Sequence, residues 1–173
     1  MANIQNVRMG VCTINFNGVD CGYTLGGTKV TITRKLTPLK VDKYGDTPVD
    51  MVVTEVGMVA SAKVAEPVVT VIHESMPEGD YEQGIAGNRQ GIAAGEGYAL
   101  RQSAALLILH PQNLASTNLA EDVQIYTAVP SSSPVINYEV TGQRVFDLEF
   151  TGLVNETEGT GRRLGHIGPV NIS

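Results

Sequence analysis

The feature that most constrains this chain is short apolar alternation at a period of two, interrupted by glycine, Asn-Gly and proline before it can run long. Such a pattern builds half-buried strands joined by turns, and 3.6-residue periodicity is hardly sustained anywhere. Val7 to Phe16 predicts a first strand. Asn17-Gly18 then supplies the positive φ angles of a tight turn. A second strand follows, interrupted by Gly22, Gly26 and Gly27, and Thr28 to Lys35 resumes it with Val30 and Ile32 alternating against Thr31 and Thr33. Thr54 to Ala65 and Val68 to His73 are strand-like and separated by Glu66-Pro67. The apolar run from Ser103 to Leu109, then Asp122 to Val129, Val135 to Thr141 and Arg144 to Val154 complete a mainly β reading.

Two stretches depart from that texture. Leu36 to Val53 contains Pro38, Pro48, Gly45 and several charges, a mixture that predicts a long projecting loop, or arm, instead of a buried strand. Glu74 to Asn88 has few β-branched residues, and Met76, Tyr81 and Ile85 lie about a turn or more apart, so one short flanking α-helix is expected there, with Pro77 near its first turn. The residues after 154 are expected to form a tail.

With 173 residues and 42% hydrophobic content the chain has enough material for one ordinary core, and the prediction is a single domain over 1–173 with its core at about 7–154. Met1 to Arg8 lacks the apolar segment of a secretory signal, and no apolar stretch approaches the ~18 residues of a membrane helix. A soluble chain made in a cytoplasm, with no membrane anchor, is expected.

The net charge of −6 is unevenly spread. Residues 1–45 carry six Lys/Arg against two Asp/Glu, residues 46–100 two against nine, and residues 101–173 four against seven. A chain polarised in this way can attract copies of itself head to tail. The acidic surplus, with Arg162-Arg163 as the one late basic pair, disfavours tight nucleic-acid binding.

No residue set predicts catalysis. His73, His110 and His166 are scattered without metal-ligand spacing, and the two cysteines, Cys12 and Cys21, read as small apolar fillers. The acids from Asp42 to Asp50 fail the calcium-loop pattern. Gly22 to Gly27 has no Gly-Lys-Thr/Ser ending, and Ser131 to Ser133 lie between prolines without a nucleophile elbow. The chain is therefore expected to be neither an enzyme nor the holder of a metal or other cofactor. Asn155-Glu156-Thr157 and Asn171-Ile172-Ser173 match the glycosylation pattern by chance on this reading.

The order Gly22-Tyr23-Thr24-Leu25-Gly26-Gly27-Thr28-Lys29-Val30, followed by Lys40-Val41-Asp42-Lys43-Tyr44-Gly45-Asp46-Thr47-Pro48-Val49-Asp50, resembles the tail tube proteins of long-tailed (siphovirus-like) bacteriophages. The parallel continues through Glu66 at a strand end, the short helix from Glu74, Leu107-Ile108-Leu109-His110-Pro111, the Asp122 to Pro130 strand and Arg144 to Phe150, covering about residues 7–154.

The resemblance implies a β-sandwich or barrel-like tail tube fold whose sheets join around a ring, commonly hexameric, with rings stacked into a tube that conducts DNA in the virion tail. It places Lys40, Asp42, Lys43, Asp46 and Asp50 of the arm at the stacking contact. It makes the partners further copies of the chain, tail tip and tail terminator proteins, with phage DNA passing through unbound. Glu139, Asp147 and Glu149, alternating with apolar residues, are candidates to face the lumen. Two other readings share the strand pattern. One is a different tail ring component, such as a distal tail, tail-completion or secretion-tube-like subunit. The other is a small β-sandwich module binding carbohydrate or peptide, against which stand the absence of tryptophan and an aromatic content of 5%.

Overall fold

A computed structural model describes residues 10–66, 68–94, 97–136 and 142–169. The chain is mainly β, and most of its strands belong to one antiparallel sheet. In chain order the elements are β1 (Cys12–Phe16), β2 (Val19–Asp20), β3 (Thr24–Lys40), β4 (Pro48–Val64), α1 (Val69–Ser75), β5 (Tyr81–Gly84), β6 (Gly87–Gln90), β7 (Ala105–Pro111), β8 (Val123–Pro130), β9 (Phe146–Gly152) and β10 (Gly165–Ile167). The sheet runs β2-β1-β7-β8-β9-β4-β3, and β10 adds to β8.

Asn17 (φ 54°) and Gly18 (φ 79°) form the predicted two-residue turn, which sets Phe16 opposite Val19. On β9 the alternation is carried through: Phe146, Leu148 and Phe150 are buried, and the residues between them face the other way. They join Ile14 and Phe16 of β1, Leu107 and Leu109 of β7, Ile125 of β8 and Met58, Ala60, Ala62 and Val64 of β4 in one core.

Phe16 and Phe150 show how this core closes. Their strands lie three steps apart in the sheet, about 14 Å if it were flat. Their ring centroids are nevertheless 4.6 Å apart. The sheet therefore curls until β3 approaches β1, and a single face wraps round its own side chains like a barrel.

Several sequence expectations change. Leu36 to Val53 is not a loop: β3 and β4 continue as a paired ribbon, with Leu36 opposite Val53 and Lys40 opposite Pro48, and only Val41–Thr47 forms the tip. Proline does not prevent this, because β3 is the last strand of the sheet and Pro48 is the first residue of β4, positions where a missing ladder donor is tolerated.

The helix is also displaced. Val69–Ser75 is helical, although its β-branched residues read as strand, because it buries Val71 against the core. Most of the stretch expected to be helical is instead the β5–β6 hairpin, with Tyr81 opposite Gln90. Tertiary burial has overridden local propensity at both places.

Beyond residue 154 the chain returns to the sheet. β10 pairs with β8, Leu164 packs on the core, and Gly168 N–H donates to the Asp122 carbonyl at 2.8 Å. The Val135 to Thr141 strand lies largely outside the described residues, within which Ile136 makes one bridge to Phe146.

Candidate assembly surfaces

The outer half of the β3–β4 ribbon is the most exposed strand pair of the fold. Residues directly opposite each other in an antiparallel pair share a face. Val30/Ala60 and Ile32/Met58 lie on the core side, and Arg34/Val56, Leu36/Val53 and Pro38/Met51 continue that face outward.

A register shift between Lys35 and Leu36 is what keeps the face apolar. Lys35 pairs with Glu55 but Leu36 pairs with Val53, so Thr54 is the extra residue of a bulge. Without that residue, Val53 and Met51 would point to the other side. Thr54 is held in place by its hydroxyl, which donates to the Lys35 carbonyl at 3.3 Å.

The other face carries Thr31, Thr33, Lys35, Thr37 and Glu55, together with Val52 and Leu39. The ribbon is thus two-sided. Its apolar side extends the core lining past the body, yet Ile32, Leu36, Met51, Val53 and Val56 are each 44% to 55% exposed. A two-stranded ribbon alone in water is marginal, and contiguous apolar surface of this kind marks an interaction site.

The predicted stacking residues all sit on this ribbon, and all are exposed. Lys40 Nζ donates to Asp46 Oδ1 at 2.9 Å across the tip. Asp42 opens the short 3-10 turn that reverses the chain, Lys43 lies 5.6 Å from the Tyr44 ring centre, and Asp50 Oδ1 accepts the Met51 N–H at 2.7 Å. Sequence reading singled out these charges and missed the apolar residues beside them. The available signal was alternation that resumes in phase after one inserted threonine.

Of the proposed lumen acids, Asp147 and Glu149 project from β9 on the side away from the core, and Glu139 lies outside the described residues. Asp147 is 3.8 Å from Lys63, and Glu149 Oε1 accepts from Ser131 Oγ at 3.1 Å. Register aligns Lys29, Ser61 and Glu149 across adjacent strands, so the two acids share this trough with two lysines. The face is balanced in charge.

The histidines fall into separate surroundings. His73 stacks on Tyr81 with ring centroids 4.7 Å apart, and its Nδ1 lies 2.9 Å from Gln90 Oε1, which ties α1 to the β5–β6 hairpin. Gln90 Nε2 also donates to the Met76 and Gly91 carbonyls. His166 lies against Tyr126.

His110 Nδ1 meets the buried Asp122 Oδ1 at 2.7 Å, a pairing that nothing in their spacing announced. Its Nε2 is buried with no hydrogen-bond partner among the described residues, so no hydroxyl or thiol stands where a nucleophile would. The pair joins the end of β7 to the start of β8. Cys21 is fully buried, and burial, reinforced by the nearby carboxylates of Asp20 and Glu74, pushes its thiol up to about 12. Among the described residues no group of three or more His, Cys, Asp or Glu could hold a metal ion, and no helix is long and apolar enough to cross a membrane.

No protein family model matches the chain, and no curated protein is similar to it in sequence. Among solved structures it is similar to one described as "Crystal structure of Hcp protein", at 6% identity and a TM-score of 0.27, over 80% of this chain and 84% of that one. A likeness that loose carries no argument about function.

Proposed function

We propose that this chain is a structural subunit that assembles with copies of itself, in stacked six-membered rings forming the tail tube of a long-tailed bacteriophage. The observation that carries self-assembly is the ribbon formed by Thr31–Lys40 and Pro48–Val59, whose apolar face continues the core and lies exposed among the described residues. Covering that face with another subunit removes the exposed aliphatic groups from water and stabilises a ribbon that is marginal alone. The phage setting rests on the sequence resemblance over residues 7–154, which also supplies tail tip and terminator proteins as partners and DNA as unbound cargo.

On this reading the chain performs no catalysis and needs no cofactor. Its tip charges set orientation: Asp42 and Lys43 lie at the outer end of the apolar stripe, where rim charges steer encounter more than they add affinity, and Asp50 lies opposite Leu39 on the other face. The mixed charge around Asp147 and Glu149 suits a wall along which a polyanion is not held, since retention needs clustered cations.

Negative-stain electron microscopy of the purified chain, with light scattering over a concentration series, tests the proposal. Hollow rings or tubes are expected above a threshold concentration. A compact monomer at every concentration, unchanged by seeding with preformed assemblies, overturns it.

A further inference from the structure

The turn that joins β1 to β2 is also a reactive dipeptide. Asn17-Gly18 is the one Asn-Gly pair in the sequence, and every other asparagine is followed by a residue that carries a side chain. Glycine has no Cβ to crowd its own amide nitrogen, so that nitrogen can approach the side-chain carbonyl carbon of the residue before it. Both residues of the turn are exposed, and no described atom beyond the chain neighbours lies within 4 Å of where a Cβ on Gly18 would stand. A five-membered ring between the two residues therefore has room to close.

What Asn17 faces decides the consequence. Its side-chain amide donates to the Glu74 carboxyl of α1, which burial raises and which Asn17 and the neighbouring His73 hold down. Asp20, on β2, joins Glu74 in raising the buried Cys21 thiol, so both carboxylates lie close to the same corner. Glu66 approaches Gly22 just beyond it. On the β7 side Asn17 meets the apolar Leu106, whose carbonyl accepts its N–H at 3.2 Å. Three carboxylates and one histidine thus border a turn whose amide is neutral.

We propose that Asn17 is a site of spontaneous deamidation, and that the carboxylate formed there repels Glu74 and Asp20 and loosens α1 from the β1–β2 turn. The Gly18 nitrogen gives its proton to solvent and bonds to the Asn17 side-chain carbon, and the amide nitrogen takes up a proton and leaves as ammonia. Water then opens the cyclic imide at one of its two carbonyls, giving aspartate or its isomer joined through the side chain. Water is the one co-reactant. The aspartate product keeps the turn, because Asp-Gly suits the same backbone as Asn-Gly, and only its charge is new. The isomer lengthens the backbone by one carbon and disturbs the register that sets Phe16 opposite Val19. The reaction needs no second copy of the chain and is independent of assembly.

Incubation of the folded chain at pH 8 and 37 °C beside a urea-unfolded sample, with tryptic peptides read by mass, tests the site. Conversion of Asn17 from amide to acid is expected over days in the folded chain, ahead of Asn88, Asn113, Asn118 and Asn155. If Asn17 stays intact in the folded chain, whether or not it converts in urea, the site is overturned. The consequence is read separately on Asn17→Asp, which removes the donor that holds Glu74 down and adds a like charge beside it. Both changes push the Glu74 carboxyl further up, so stability is lost as pH rises through its folded value. The thermal midpoint should fall by about 2 to 4 °C relative to the parent at pH 7, and by much less at pH 4, where the carboxyls take up protons. Adding Glu74→Gln to Asn17→Asp should recover most of that loss. Equal midpoints for Asn17→Asp and the parent at pH 7, or a loss of the same size at both pH values, refutes the repulsion.

Discussion

Placing a carboxylate on the apolar side of the ribbon separates its two faces energetically. Val53 lies opposite Leu36, with Met51 and Val56 as its nearest neighbours along the same face of β4, and is 47% exposed in the free chain. In Val53→Asp the free subunit loses little, because roughly half of the side chain was already in water; a change within about 1 kcal/mol is expected. In the assembly the account differs. Covering the remaining half of valine contributes about 1 kcal/mol, and burying an unpaired carboxylate among aliphatic groups costs several more. A net loss of about 3 kcal/mol per contact raises the threshold for assembly by about a hundredfold. Thr37→Asp is the control, since Thr37 is opposite Val52 on the polar face and its hydroxyl meets Thr54 Oγ1 at 3.4 Å. Light scattering over a dilution series reads both thresholds, and thermal unfolding of the free chain checks the fold. If Val53→Asp assembles like the parent, or Thr37→Asp is equally disruptive, the apolar face is not the contact.

Three further outcomes follow from the interior. Phe150→Ala removes a ring that is 2% exposed and packs on Phe16 across the curl of the sheet; a loss of about 3 to 5 kcal/mol is expected in denaturant unfolding, and a loss below about 1 kcal/mol would mean that the sheet does not close there. Cys21, fully buried with its thiol raised to about 12, should resist a maleimide at pH 8 until denaturant is added, whereas labelling in the native chain as fast as in the unfolded one contradicts that burial. Burial raises the Glu74 carboxyl above its ordinary 4.5, against the lowering effects of Asn17 and His73. A carboxyl raised in the folded state favours folding below its unfolded value and loses that contribution as pH rises through its folded value, so Glu74→Gln should gain stability relative to the parent on going from pH 4 to pH 7. A constant difference over that range refutes the assignment.

Much of the sheet was legible because its signals are local. Asn17-Gly18 fixes a turn by backbone conformation, and Phe146, Leu148 and Phe150 fix which side of β9 is buried by alternation alone. Asp147 and Glu149 were placed on the opposite side by the same rule. The arm was located but misread as a loop, because its charges and prolines argue against a buried strand and say nothing against an exposed one. Val69–Ser75 and Tyr81–Gln90 exchanged their expected states, since a short apolar run takes the conformation its packing surface rewards.

By itself, then, the sequence determined a mainly β chain with tight turns and a charged arm after residue 36, because each follows from steric preference or period within a few residues, whereas the helix expected at Glu74 to Asn88 formed at Val69–Ser75. Only the tertiary structure decided which residues of the arm share a face, since that depends on Thr54 being the unpaired residue of a bulge between two strands. It also brought His110 to Asp122, and Val154 and Leu164 to the root of the ribbon. Those meetings depend on strand order and on the curl that brings Phe16 to Phe150, and neither is encoded in any short stretch of the chain.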